Sequence, residues 1–104
     1  MLDIERRSDG TVVATGRLDA AQAARAQDYL DGIEGACVID LSALEYISSA
    51  GLGVLLRTHK RLLADGGGLK LVNVNAHLCD IFAYSGFDRL FEIVPAQSDG
   101  NARS

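Results

Sequence analysis

Residues 36–41, ACVIDL, are apolar at nearly every position and lie between two segments whose apolar residues recur at helical spacing. A strand that is apolar on both faces reads as one covered from both sides, central in its sheet and parallel to its neighbours. Parallel neighbours need a crossover connection, usually a helix. This hexapeptide therefore limits the chain to an alternation of strands and helices.

The flanking segments fit. Ahead of the strand, Ala23, Ala26, Leu30 and Ile33 predict a helix, with Asp19 at the N-cap, Gln22 in the capping-box position, and Gly32 and Gly35 at its end. After it, Leu52, Leu55, Leu56, Leu62 and Leu63 fall largely on one side of a second helix, with Arg57, Lys60 and Arg61 around the rest and Gly66-Gly67-Gly68 as its stop. LKLVNV (69–74) reads as a strand, AHLCDIFAYSG (76–86) as a third helix, and LFEIV (90–94) as a last strand closed by Pro95. At the other end, Leu2 and Ile4, then Val12, Ala14 and Leu18, alternate around the turn signal Ser8-Asp9-Gly10, which predicts a hairpin. With right-handed crossovers, the expected architecture is α/β: a single mixed sheet of four to five strands, mostly parallel with an antiparallel N-terminal edge strand, packed with three or more helices. Residues 1–96 would form the domain, and the polar stretch 97–104 a tail that frays.

At 104 residues one core suffices, burying about two thirds of the surface the unfolded chain exposes. Fourteen acidic residues against ten basic ones, a formal charge of −4, argue against generic nucleic-acid binding and favour a basic protein surface as partner. No apolar run approaches the roughly 20 residues of a membrane-spanning helix, so no membrane insertion is expected. MLDIERRSDG is not a signal peptide, which predicts a cytoplasmic protein with reduced thiols at Cys37 and Cys79. Neither His59 nor His77 has a second ligand at metal spacing, so no metal or cofactor is expected.

Functional groups in open sheets gather beyond the carboxyl ends of the strands, which directs attention to residues 42–49 and the stretch LEYISSAGLGVLL that follows ACVIDL. A serine at a helix start has its hydroxyl beside unpaired backbone N–H groups and the positive end of the helix dipole. Ser49 could thus cap the helix or carry a phosphoryl group, and Ser48 could be a loop residue, the cap itself or a competing acceptor. SSAG is not the G-x-S-x-G elbow of serine hydrolases. The triple glycine lacks the Lys-Ser/Thr of a phosphate-binding loop. No enzyme is expected.

The segment VIDLSALEYISSAGLGVLL resembles the signature of the STAS domain of bacterial anti-sigma-factor antagonists, whose usual form is a DLS strand end followed by DSSGLG or SSAGL. The resemblance extends to GRLDAAQA and to LVNVNAHLCDIFAYSGFDRLFEIV, and covers residues 2–95. It implies that Ser49 is phosphorylated by an anti-sigma factor acting as a serine kinase and dephosphorylated by a PP2C-like phosphatase. Ser48 stands where the family often has an acidic residue, and Ala50 where it has a second serine. The partner-binding residues so implied are Asp19, Ser48, Ser49, Gly51, Gly53, Arg57 and Lys60, on a monomer or weak dimer that frees a sigma factor by sequestering the kinase. The alternative is a STAS subunit of a transport or stress-signalling complex that binds its partner without phosphorylation.

Overall fold

The computed structural model describes residues 1–96; the expected tail, 97–104, lies outside them. Strands β1 (Leu2–Arg6) and β2 (Val12–Leu18) form the hairpin, in antiparallel register from Leu2 opposite Gly16 to Arg6 opposite Val12. Helix α1 (Ala20–Asp31) leads to β3 (Ala36–Asp40), a short β4 (Leu44–Ile47) to helix α2 (Ser49–Ala64), and β5 (Gly68–Val74) through α3 (Ala76–Tyr84) and a 3-10 turn (Phe87–Arg89) to β6 (Glu92–Pro95). The sheet runs β1-β2-β3-β5-β6, antiparallel only at β1-β2, with β4 parallel to β2.

The sixth strand, β4, lies within residues 42–49, where the sequence pattern predicts no strand. It and β3 share β2 as partner: Val12 and Val13 pair with Ile39 and Asp40, and after a bulge at Gly16/Arg17 the end of β2 pairs with Tyr46 and Ile47. Asp40 makes the break between them. Its Oδ1 accepts from the Ser42 amide at 2.8 Å, an Asx-type turn, and the Leu44 amide donates to the Leu41 carbonyl at 3.1 Å. The DLS sequence is therefore a corner that lifts the chain toward the end of β2.

ACVIDL is covered on one face only, which corrects the reading from its composition. Cys37, Ile39 and Leu41 are buried, whereas Ala36 is exposed and Val38 half-buried. Cross-strand rows on the uncovered face, such as Glu5–Val13–Asp40–Val72 and Val38–Lys70–Glu92, contain no buried side chain except Asp40. Asp40 is shielded by Asn73 Nδ2 at 2.8 Å and Arg7 Nη1 at 3.5 Å.

On the covered face, α1 contributes Ala26 and Leu30, and α2 contributes Val54, Leu55 and Leu62. Of these, Ala26, Leu30 and Leu55 meet Leu2, Val12, Leu18 and Ile39 around an apolar void of about 20 Å³. The buried stripe of α2 is rotated from the expected one: Gly51, Val54, Leu55, Thr58 and Leu62 point inward, Leu52 and Leu56 are half-buried, and Leu63 is exposed. Thr58 occupies a core position because Gln27 Nε2 donates to its hydroxyl at 3.2 Å. Cys37 and Cys79 are free thiols, and burial pushes the ionisation of both upward.

Candidate functional site

The site forms where two parallel strands end together. Leu18 closes β2 beside Ile47 of β4, and the Ser48 amide donates to the Leu18 carbonyl at 2.9 Å. Asp19 and Ser48 therefore leave adjacent strand ends as neighbours, each starting a helix. Gly51 lets α2 settle there: a Cβ on it would fall 2.7 Å from the Leu18 carbonyl oxygen and 2.8 Å from the Ile47 side chain.

Ser48 is the N-cap of α2, with extended backbone (φ −93°, ψ 174°) and its Oγ accepting from the Gly51 amide at 3.2 Å. Ser49 is the first helical residue and is exposed; its hydroxyl has no hydrogen-bond partner among the described residues. Two serines left open by sequence are thus separated by one residue of helix register. The Asp19 side chain makes no capping bond to α1, and its Oδ1 is buried without a partner among the described residues. Nor does the expected capping box form, because Gln22 Oε1 accepts instead from Arg25 at 3.2 Å.

Ser49, Gly53 and Arg57 follow at intervals of four residues along one stripe of α2. Arg57 is exposed, and its Nε donates to Gln27 Oε1 on α1 at 3.1 Å. Lys60 is exposed one turn further on. Arg61, grouped with them by sequence, is committed elsewhere, donating to the Leu30 and Ile33 carbonyls at 2.8 and 2.7 Å. Asp19, Ser48, Ser49 and Gly51 are therefore gathered at one junction, while Gly53, Arg57 and Lys60 extend from it along the helix.

Sequence reasoning missed three contributors. Gln27 ties α1 to α2, and its only signal was a polar residue in the helical pattern. Arg17 lies over the Tyr46 ring, 4.5 Å from its centroid, on the strands that end at the junction. Asp40 shapes the corner that delivers β4, and the DLS motif was its signal. Neither histidine serves the serines. His59 Nδ1 accepts from the Leu69 amide at 3.1 Å and its ring meets Phe91 edge-on, while His77 is exposed on α3.

A mixed sheet with a serine-tipped helix at paired strand ends defines a STAS-type domain. The family model described as "Mlab, STAS domain" matches residues 3–95, and the chain belongs to the STAS domain family. A Bordetella bronchiseptica protein named as an anti-sigma factor antagonist, BtrV, is 36% identical over 91 residues, which are 82% of this chain and 78% of the relative. The anti-sigma-B factor antagonist of Bacillus subtilis is 36% identical over 67 residues, 64% of this chain and 58% of that one. The solved structure of the Bacillus cell fate determinant SpoIIAA in its phosphorylated form shares the fold with a TM-score of 0.65 at 20% identity, covering 98% of this chain and 96% of that chain.

Proposed function

We propose that this domain is an anti-sigma factor antagonist that binds an anti-sigma serine kinase through the junction at the start of α2 and lets go when that kinase phosphorylates Ser49. The observation that carries the reading is the exposed Ser49 hydroxyl, unbonded among the described residues, beside a Ser48 hydroxyl already engaged by the helix. The naming of both relatives as anti-sigma factor antagonists, and the existence of SpoIIAA in a phosphorylated form, support it.

The kinase transfers the γ-phosphoryl group of ATP to Ser49 Oγ, the hydroxyl proton leaves and ADP is released. The new group brings about −1.5 to −2 charges and three acceptor oxygens to a surface that must be desolvated on docking. A penalty of about 3 kcal/mol weakens binding more than a hundredfold. A PP2C-like phosphatase restores the binding form. The domain itself performs no catalysis and works in the cytoplasm; among the described residues no helix is long and apolar enough to cross a membrane.

The test is to incubate the chain with ATP, magnesium and the kinase-type anti-sigma factor of the same genome, then map the product by mass spectrometry. One phosphate at Ser49 is expected. Modification mainly at Ser48, or none by a kinase that binds the chain, overturns the assignment. The second outcome would favour a STAS subunit of a transport or stress-signalling complex, the reading to which Ser48, in place of the family's frequent acidic residue, lends support.

A further inference from the structure

Arg57 does not extend into solvent from its own turn of α2. A Cβ placed on Gly53, four residues earlier, would lie 3.2 Å from Arg57 Nη1 and 3.9 Å from Cζ, so the guanidinium is folded back one full turn toward the helix start over a residue with no side chain. Gln27 fixes it there. The Gln27 carbonyl oxygen accepts from Arg57 Nε at 3.1 Å, and its amide nitrogen is used in turn by Asp31 Oδ1 at 2.9 Å and Thr58 Oγ1 at 3.2 Å, which sets the amide's orientation. Only Nε is engaged: neither terminal amine of Arg57 has an acceptor among the described residues.

One turn beyond Gly53 on the same stripe is Ser49. Cβ positions four residues apart on a helix are separated by about 5–6 Å, a gap that phosphoserine and the folded-back guanidinium close from either side. Terminal guanidinium amines present the fork that matches a phosphate.

We propose that Arg57 is the internal receptor of the phosphate on Ser49: Gln27 holds the guanidinium by Nε, Gly53 leaves its path open, and the two terminal amines take the phosphate oxygens. This deepens the switch and rests on the proposed phosphorylation of Ser49. Modification then changes two groups on the docking face at once. The kinase meets a phosphate where it met a hydroxyl, and it loses Arg57, a cation now paired within the chain.

The experiment does not depend on any kinase. Phosphoserine is incorporated at position 49 during translation, and its second ionisation is followed by phosphorus NMR in the otherwise wild-type chain and in Arg57→Gln and Arg57→Lys. Asp19, across the junction, and the first-turn amides of α2 act alike on all three. The wild-type phosphate should ionise about one pH unit lower than in Arg57→Gln, with Arg57→Lys between them. Equal values in wild type and Arg57→Gln, or a lower value in the variant, overturn the proposal. Failure of the switch itself would appear separately, as absence of phosphate at Ser49 in the kinase reaction on the unmodified chain.

Discussion

Ser48 and Ser49 stand side by side at the start of α2, yet only Ser48 is bound into the fold, its Oγ accepting from the Gly51 amide at 3.2 Å while the Ser49 hydroxyl faces solvent. One residue of helix register divides a hydroxyl engaged in capping from one that has no partner among the described residues. The division can be tested without a partner.

Ser48→Ala removes an N-cap and should lower stability by about 0.5–2 kcal/mol. Ser49→Ala, an exposed first-turn substitution, should stay within about 0.5 kcal/mol of wild type. Urea unfolding of both variants checks the order. A larger loss at Ser49 would place the cap one residue later.

Ser49→Asp brings one negative charge to the junction at a position where the helix dipole favours it. Stability should be unchanged or slightly raised, and affinity for the kinase reduced, while Ser49→Ala keeps its affinity and resists ATP-dependent release. Calorimetric titration of both variants decides. If Ser49→Asp binds as wild type does, the charge-based switch fails.

On α2, Leu55 is 2% exposed and lines the apolar void, so its truncation enlarges a space already present. Leu55→Ala should cost about 2–5 kcal/mol. Leu63, grouped with it by sequence pattern, is 57% exposed, and Leu63→Ala should change stability by less than about 0.5 kcal/mol. Thermal unfolding separates the two, and equal losses would mean that α2 is rotated differently about its axis.

The residues explain why some of this was legible and some was not. Alternation at Leu2, Ile4, Val12, Ala14 and Leu18 around Ser8-Asp9-Gly10 identifies the hairpin, because a half-buried strand must alternate. Val13, Val38 and Val72 carry no such mark: valine suits a strand whether a helix covers it or not, so the uncovered face could not be read from composition. Strand β4 is only four residues long and depends on the Asp40 corner, a contact with an amide two residues away and with Asn73 far along the chain. The serine motif could be located by pattern, but not the choice between two identical hydroxyls, which rests on a single helix boundary. Arg57 and Gln27 lie thirty residues apart, and nothing local announces their bond.

The Asp40 corner makes stability depend on pH in a defined direction. Burial alone would push this carboxyl up, but bonds from the Ser42 amide and hydroxyl and from Asn73, with the Arg7 guanidinium nearby, outweigh it and hold the ionisation below the ordinary value. A group whose folded value is depressed stabilises the fold fully above its unfolded value, about 4 for aspartate, and that contribution disappears as pH falls through the lower, folded value. Asp40→Asn keeps the shape but offers one acceptor atom where the carboxylate has two, so at pH 7 it should cost about 1–3 kcal/mol. As the pH is lowered from 5 to 3, wild type should lose stability faster than Asp40→Asn, and the gap between them should narrow. Urea unfolding of both proteins across that range is the measurement. A gap that stays constant down to pH 3 would show that Asp40 is not the carboxylate through which acid loosens the corner beneath the serine junction.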